Sequence, residues 1–251
     1  MAAVSAPASA PLVRLEAVRK EFGGVVALQG VTLDIKPGEI VALVGDNGAG
    51  KSTLIKLIAG VHQPTSGEIL LEGQPVRFTR PTESRQHGIE VVYQDLALAD
   101  QQPVYMNLFL GRELVRGALR RLDRARMATE TQHLLEELDI RIPSPRAIVR
   151  DLSGGQRQGI AIARATHWAQ RLILMDEPTA ALGVQETARV EDIIQRMRAR
   201  GRAILIVSHS LDQVFRLADR ICVLRRGLQV GVKAVDETDG DEIVSMITGL
   251  R

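Results

Sequence analysis

Apolar positions divide the chain into segments of different periodicity. Between Leu12 and Val92, short runs of β-branched and other apolar residues alternate with turn signals such as Lys36-Pro37-Gly38-Glu39, and this pattern predicts strands. The segment Lys51–Gly60 is an exception, because its apolar residues recur at helical spacing and Gly60 supplies a stop. One helix framed by strands is therefore predicted for this part.

The middle of the chain, from Pro103 to about Ala165, has a helical pattern instead. Its clearest periodic stretch runs from Leu119 to Asp139 and is predicted as a helix. The chain then returns to alternating strands and helices, at Leu172–Met175, Val184–Arg200, Ala203–Val207, from Leu211, and at Ile221–Leu224. Such alternation predicts a mostly parallel sheet with covering helices.

Composition is typical of a globular protein. Of 251 residues, 45% are hydrophobic, and 32 Lys and Arg against 30 Asp and Glu give a net charge of +2, which excludes disorder as the main state. A membrane-spanning helix needs about 20 predominantly apolar residues, whereas Ile40–Val44 and Ala203–Val207 are short apolar runs. Residues 1–11 lack a secretory pattern and are expected to form a flexible tail, which favours the cytoplasm.

A single cysteine, Cys222, lies within the apolar run Ile221–Leu224. One thiol allows no intrachain disulfide and no thiolate metal cluster. Its apolar neighbours favour a small buried side chain over a reactive thiol.

Basic residues cluster in one segment. Six arginines crowd into fifteen positions beside Glu113 and Asp123, namely Arg112, Arg116, Arg120, Arg121, Arg124 and Arg126. A phosphate-facing patch is one interpretation, and the near-zero net charge favours the other, a solvated helical face. With 3% aromatic residues, the chain lacks the stacking platforms of single-strand binders, and no nucleic-acid partner is predicted.

A glycine-rich loop lies between the predicted strand Ile40–Val44 and the helix that follows. It matches G-x-x-x-x-G-K-[ST] with the residues Gly45, Asp46, Asn47, Gly48, Ala49, Gly50, Lys51, Ser52 and Thr53. Glycines let the backbone N–H groups turn inward, and the helix N-terminus adds partial positive charge. Lys51 would reach the β- and γ-phosphates and Ser52 would bind Mg²⁺. The loop predicts binding of a nucleoside triphosphate.

Two carboxylates, Asp176 and Glu177, follow the apolar run Leu172–Met175. Ligands of an open parallel sheet bind beyond the carboxyl ends of its strands, so these side chains are expected beside the same phosphates. Asp176 suits a second Mg²⁺ ligand, usually through water, and Glu177 suits a general base for the attacking water. The pair favours a hydrolase over a simple binding protein.

A third motif predicts the type of nucleotide-binding protein. Ser153, Gly154, Gly155 and Gln156 follow Leu152 at the start of a predicted helix. Ser153 can cap this helix while the glycines leave N–H groups bare, which makes a second anion site. The motif resembles the signature of ABC-type ATP-binding cassettes.

The resemblance runs from Leu12 to Leu250 and implies a fold. That fold is an α/β P-loop NTPase (RecA-like) with a mostly parallel sheet, an N-terminal antiparallel β part and an inserted α-helical subdomain. Residues 12–251 would form the ATP-binding domain, with 12–95 and 166–251 as its nucleotide-binding core and 96–165 as the helical subdomain.

The same resemblance implies roles for further residues. Phe22 stands where an aromatic side chain stacks on adenine, a place in which tyrosine is commoner. Gln94 matches the glutamine that joins the Mg²⁺ site, formed with Ser52 and Asp176, to a transmembrane partner. His209 matches the histidine at the γ-phosphate, so Glu177, His209 and Gln94 are the expected catalytic residues. Gly183 departs from the family pattern, which has aspartate there, and its effect on contacts across a dimer is left open.

The resemblance also implies partners. In such cassettes the signature of one subunit closes on the phosphate loop of another, with ATP between them, so a homodimer is expected. Several local strings are similar to bacterial monosaccharide importers of the ribose, xylose and fructose type, including 85–94, 107–113 and 178–186. This subgroup implies permease subunits, a periplasmic sugar-binding protein and a peripheral position on the cytoplasmic face of the cell membrane.

Three alternatives share the nucleotide motifs. A soluble cassette ATPase would act in translation, DNA repair or iron–sulfur assembly, but the second cassette or long coiled-coil insertion of the first two types is not found. A nucleotide sensor would bind ATP without turnover. An importer for a different small solute is the third alternative, since the sugar itself would not touch this chain.

Overall fold

The computed structural model describes residues 10–180 and 182–249. The predicted tail, 1–11, lies outside these residues except for Ala10 and Pro11. Within the described residues, no helix combines the length and apolar character needed to cross a membrane.

Twelve strands and eight α-helices are numbered here along the described chain. The strands are β1 (Val13–Phe22), β2 (Val25–Ile35), β3 (Ile40–Val44), β4 (Ser66–Leu71), β5 (Gln74–Val76), β6 (Ile89–Val92), β7 (Val115–Arg116), β8 (Arg121–Leu122), β9 (Leu172–Asp176), β10 (Ala203–Val207), β11 (Arg220–Arg225) and β12 (Leu228–Ala234). The helices are α1 (Lys51–Ile58), α2 (Pro81–Gln86), α3 (Val104–Leu108), α4 (Arg124–Glu137), α5 (Gly154–Trp168), α6 (Val184–Ala199), α7 (Leu211–Leu217) and α8 (Gly240–Thr248).

The central sheet has the strand order β12-β11-β3-β10-β9-β6. Neighbouring strands are parallel except β12, which pairs antiparallel with β11. Every residue of β3 and β10 is buried, which explains their uninterrupted apolar sequences. Alternate residues of β3 enter two different cores, with Ala42 in one and Val41 in the other. The sheet is therefore covered on both faces.

A separate antiparallel sheet has the order β2-β1-β4-β5, and helices α3, α4 and α5 pack together after β6. This arrangement of parallel sheet, antiparallel N-terminal part and helices confirms the predicted fold class. The subdomain boundaries at 95 and 165 stay predictions.

The predicted helix from Leu119 to Asp139 is wrong for its first residues. A hairpin of β7 and β8 occupies this part, and α4 begins only at Arg124. Asp123 ends the hairpin and caps the helix, since its carboxylate accepts the N–H of Arg126 at 3.1 Å. The interpretation of the six arginines as a helical face is wrong for most of them, because only Arg124 and Arg126 lie in α4.

Helix α2 also differs from the sequence prediction, which gives only strands and the helix Lys51–Gly60 before Val92. The helix begins with Pro81 at its first position, where the missing N–H and fixed φ are tolerated. Its buried residue is polar, Ser84, whose hydroxyl donates to the carbonyl of Ala59 at 2.7 Å. A short helix without an apolar stripe gives no periodic signal.

Cys222 is fully buried in β11, which confirms the interpretation as an apolar core residue. Burial raises the pKa of its thiol to about 12, so the thiolate is scarce at neutral pH.

Candidate functional site

The phosphate loop connects β3 to α1 and depends on glycine for its shape. Gly45 has φ +147°, and a Cβ there would lie 2.1 Å from the carbonyl oxygen of Leu224. Gly50 has φ +105°, and a Cβ there would lie 2.6 Å from Leu28 Cδ2. These positions exclude any side chain, because the loop packs directly against β11 and β2.

The turn between β11 and β12 braces this loop from outside. The N–H of Gly227 donates to the carbonyl of Ala49 at 3.0 Å, and the carbonyl of Gly227 accepts the N–H of Gln29 at 2.8 Å. Sequence reasoning missed this support, and its available signal was the Arg226-Gly227 turn after the predicted strand Ile221–Leu224. The loop is thus held by segments distant in sequence.

Lys51 is buried at the first position of α1. Its Nζ donates to the carbonyls of Gly45 at 2.6 Å and Asp46 at 2.9 Å. Burial lowers the pKa of Lys51, and the negative charges of Glu177 and Asp176 partly offset this effect. The ammonium group of Lys51 therefore lies inside the curved loop, where it would contact phosphate oxygens.

Most of the remaining loop residues are more accessible than Lys51. Gly50 is the N-cap of α1 and brings no side chain to the first-turn N–H groups, which leaves them available to an anion. The exposed residues are Asp46, Asn47, Gly48 and Ser52; Thr53 is half-buried and Ala49 is buried.

Asp176 ends β9 next to the loop. The Ser52 side chain lies close enough to interact with the carboxylate of Asp176, so two hard oxygen donors lie together, as Mg²⁺ prefers. Burial, followed by the charge of Glu177, raises the pKa of Asp176 against the opposing effects of Ser52 and Lys51. A divalent cation would neutralise the repulsion between the carboxylates of Asp176 and Glu177. The donor set therefore fits Mg²⁺.

Glu177 follows in a strained conformation. Its φ of +54° lies in the left-handed region, which costs a non-glycine residue about 1–3 kcal/mol and is often found at functional sites. Its N–H donates to Val207 at 3.0 Å, and its Oε1 lies 2.7 Å from Nε2 of His209. Because β9 and β10 are neighbours in the sheet, the two predicted catalytic residues meet at their ends.

Gln94 and Phe22 lie at other strand ends. Gln94 is exposed two residues after β6, at the carboxyl edge of the same sheet. Phe22 ends β1 with 42% of its surface exposed. Its ring meets His62 edge-on at a centroid distance of 5.1 Å, and Nζ of Lys20 lies 4.8 Å from its centroid. Sequence reasoning did not find these two neighbours, since neither belongs to a motif.

The second predicted anion site lies at the start of α5, where Ser153 caps the helix as predicted. Ser153 Oγ accepts the N–H of Gln156 at 3.2 Å, and Gln156 Oε1 accepts the N–H of Ser153 at 3.0 Å. This reciprocal capping box fixes the helix start. Gly154 is open to solvent, whereas a Cβ on Gly155 would lie 2.5 Å from Glu186 Oε1. In the described chain, no hydrogen bond joins these four residues to the phosphate loop.

A family model described as ABC transporter matches residues 28–180. The chain belongs to the ABC transporter family. It is an ATP-binding domain of that family, and its matched span includes the phosphate loop, the signature and Glu177.

Curated relatives cover nearly the whole cassette. The xylose/arabinose import ATP-binding protein of Sulfolobus acidocaldarius is 46% identical over 94% of both chains. The fructose import ATP-binding protein of Rhizobium meliloti is 43% identical over 97% of this chain and 96% of its own. A ribose import ATP-binding protein of Rubrobacter xylanophilus is 43% identical over 95% of this chain but only 48% of its own.

Solved ABC cassettes share the fold. The ADP conformation of the cassette MJ1267 aligns with a TM-score of 0.82 and 25% identity over 96% of both chains. A dimeric, post-hydrolysis cassette, MJ0796 bound to ADP and phosphate, aligns with a TM-score of 0.76 and 27% identity over 89% of this chain and 98% of its own.

The ABC cassette described here differs from the usual pattern at Gly183. This residue is the N-cap of α6, and its N–H donates to Glu186 Oε2 at 3.3 Å. The nearest atom to a Cβ at this position would be the same oxygen, at 3.9 Å. Space therefore exists for a larger side chain, and nothing in the structure explains the glycine.

Proposed function

We propose that this chain is the ATP-hydrolysing subunit of an ABC importer for a monosaccharide. The observation that carries the hydrolytic part is the contact between Glu177 and His209 beside Lys51 and Asp176. The relatives named for xylose/arabinose and fructose import, at 46% and 43% identity over nearly full length, support the sugar class.

Each residue at the sheet edge has a task in this proposal. The loop N–H groups and Lys51 hold the β- and γ-phosphates, and Ser52 and Asp176 hold Mg²⁺ together with Gln94. When bound, Mg²⁺ neutralises part of the phosphate charge. Catalysis then depends mainly on positioning and electrostatics.

Glu177 acts on the attacking water. One carboxylate oxygen accepts a proton as the water oxygen approaches the γ-phosphorus, and the bond from phosphorus to the β–γ bridging oxygen breaks to give ADP and phosphate. The other oxygen stays in contact with Nε2 of His209, at 2.7 Å, and this contact restrains the orientation of the carboxylate. Phe22 supports the adenine ring at the exposed end of β1.

The signature residues of one copy, from Ser153 to Gln156, complete the site of a second copy. Within one chain they have no hydrogen bond to the phosphate loop among the described residues, so a homodimer supplies the second anion site. Dimeric cassettes among the solved neighbours, such as MJ0796, support this assembly.

The dimer acts on permease subunits at the cytoplasmic face of the membrane. A periplasmic binding protein delivers the sugar, which passes through the permease and does not touch this chain. The import proteins among the relatives support this arrangement by their names.

Reconstitution with the permease in vesicles tests the proposal. We expect sugar uptake only when ATP is present on the side of the vesicle membrane to which this chain binds. Glu177→Gln should retain nucleotide binding while hydrolysis and uptake fall about 100-fold or more. Glu68→Gln, an exposed residue of β4, is the matched control. Hydrolysis without any association with the permease would contradict the transport function, and full hydrolysis by Glu177→Gln would contradict the mechanism.

A further inference from the structure

A two-stranded hairpin, residues 114–122, projects between α3 and α4 and is called here the basic hairpin. Val115 pairs with Leu122, and Arg116 pairs with Arg121. A turn closes the hairpin, with the N–H of Arg120 donating to the carbonyl of Gly117 at 3.1 Å. Isolated hairpins of this length are marginally stable in water, so a contact surface outside the hairpin would affect it strongly.

The basic hairpin exposes apolar side chains at its tip, which is Leu119, and at its base, where Val115 pairs with Leu122. Leu119, in the turn, is 77% exposed, and Val115 and Leu122 are 45% and 37% exposed. A single exposed leucine is ordinary. Three exposed apolar side chains on one small hairpin offer apolar surface that a partner would bury.

Arginines surround this apolar tip without compensating acids. Among the described residues, no carboxylate lies within 4.0 Å of a guanidinium nitrogen of Arg116, Arg120 or Arg121. The two nearby acids have other contacts. Glu113 accepts the N–H of Gly111 at 3.0 Å, and Asp123 accepts the N–H of Arg126 at 3.1 Å.

The pairing of Arg116 directly with Arg121 is unfavourable in the isolated chain. Like charges on opposed residues of neighbouring strands destabilise a hairpin. An anionic partner would make the two arginines stabilising, because both guanidinium groups would then be attracted to its negative charge. The hairpin thus has the charge pattern of a binding surface.

We propose that the basic hairpin docks on an anionic lipid bilayer. Leu119 enters the boundary between headgroups and acyl chains, and Arg116, Arg120 and Arg121 reach the lipid phosphates around it. Arginine side chains extend their charged ends to phosphates while their stems cover apolar surface. Apolar burial together with basic residues is the combination that binds anionic membrane surfaces.

The composition of the hairpin favours lipid over nucleic acid. Between Leu110 and Met127 the sequence has no aromatic residue, so bases have no ring on which to stack. An exposed leucine at the tip gains nothing from a phosphodiester backbone. It gains apolar contact at a membrane.

Flotation with protein-free vesicles tests the proposal. We expect the full chain to float with vesicles of 70% phosphatidylcholine and 30% phosphatidylglycerol and to remain at the bottom with pure phosphatidylcholine. The triple change Arg116→Glu, Arg120→Glu and Arg121→Glu should lower partitioning at least about 100-fold, since each arginine at an anionic surface contributes roughly a factor of five. This variant keeps a like-charge pair across the strands, so the hairpin's internal balance is preserved. Leu119→Asp should lower partitioning about tenfold.

Matched controls distinguish binding through the basic hairpin from binding that depends only on the net charge of the protein. Arg77→Glu, Arg146→Glu and Arg196→Glu together change the net charge equally at exposed positions elsewhere, and we expect nearly wild-type flotation. Thermal unfolding and ATP affinity establish that each variant is folded. Equal loss in both triple variants, absence of flotation with anionic vesicles, or displacement of the protein from them by stoichiometric RNA would overturn the proposal.

The vesicle assay contains no permease, sugar or nucleotide. Its outcome is therefore distinguishable from success or failure of the proposed transport function, which is measured by hydrolysis and uptake.

Discussion

Nε2 of His209 lies 2.7 Å from Oε1 of Glu177 across the ends of two adjacent parallel strands. The side chain of His209 is 46% exposed and that of Glu177 is 20% exposed, so the contact lies where the site opens to solvent. Glu177 also has a left-handed backbone, and the side-chain contact adds a second restraint on its carboxylate. Both restraints limit the positions from which the carboxylate can meet a water molecule.

Replacing His209 tests whether this restraint serves hydrolysis. We expect His209→Ala to lower kcat about 100-fold with little change in KM for ATP, because a positioned group acts mainly in the transition state. His209→Gln keeps an N–H donor and should recover part of the rate. Steady-state phosphate release measures both. The control is His133→Ala, on the exposed face of α4; equal rates in His209→Ala and His133→Ala would exclude the role.

Two glycine substitutions test the fit of the phosphate loop. Gly45→Ala forces a Cβ to 2.1 Å from a backbone oxygen, whereas Gly48→Ala meets no atom within 4 Å. We expect Gly48→Ala to cost about 1–2 kcal/mol for its positive φ, and Gly45→Ala to cost at least ~3 kcal/mol.

Urea unfolding measures these costs, and nucleotide titration measures the loop itself. Gly45→Ala should lower ATP affinity more than tenfold, because the N–H groups would no longer converge. Equal stability of the two variants would show that the loop can shift away from β11.

The pH dependence of stability tests the burial of Asp176. Its native pKa is raised from the ordinary value of 3.8, so the native state binds this proton more tightly than the unfolded state. The contribution of Asp176 to stability is therefore lost as pH rises from about the ordinary value through the raised native value.

Asp176→Asn removes the ionisable group, and with it the loss of stability at higher pH. We expect its Tm to exceed that of the wild type at neutral pH by a few degrees, and the difference to shrink as pH falls toward the ordinary pKa of 3.8. Thermal unfolding across this range, with the exposed Asp236→Asn as reference, measures it. A difference that grows on acidification would contradict the assigned direction.

The thiol of Cys222 provides a probe of global opening. Because burial raises its pKa to about 12, we expect Ellman's reagent to leave native protein unlabelled at pH 8 and to label one thiol per chain in denaturant. Labelling that follows the unfolding curve would agree with complete burial. Rapid labelling of native protein would place Cys222 outside the core.

Sequence reasoning succeeded where chemistry depends on a short segment. The strand Ile40–Val44, the loop to Lys51 and the cap at Ser153 are each specified by neighbouring residues, and the structure has each of them. It failed at Leu122, since the helical period of the leucines there is also compatible with a hairpin, and the cap of Asp123 decides between them. It also missed α2, which has no apolar stripe.

Contacts between distant segments could not be predicted from the sequence patterns. Parallel strands place His209 near Glu177, but the pattern does not give their distance or the strained backbone of Glu177. The ring contact of His62 with Phe22 and the brace from Gly227 to Ala49 likewise depend on how strands stack. Such pairings require the assembled sheet, which local propensity does not determine.

The neighbours of β3 affect how the protein is made on the ribosome. This strand precedes the phosphate loop and pairs with β10 and β11, which are translated far later. The last hydrogen bond to the loop comes from Gly227. A nascent chain halted before residue 203 would therefore have its glycine-rich motif complete but neither of the strands that pair with β3. We expect nucleotide capture only after Gly227 has been translated, well after the helical region.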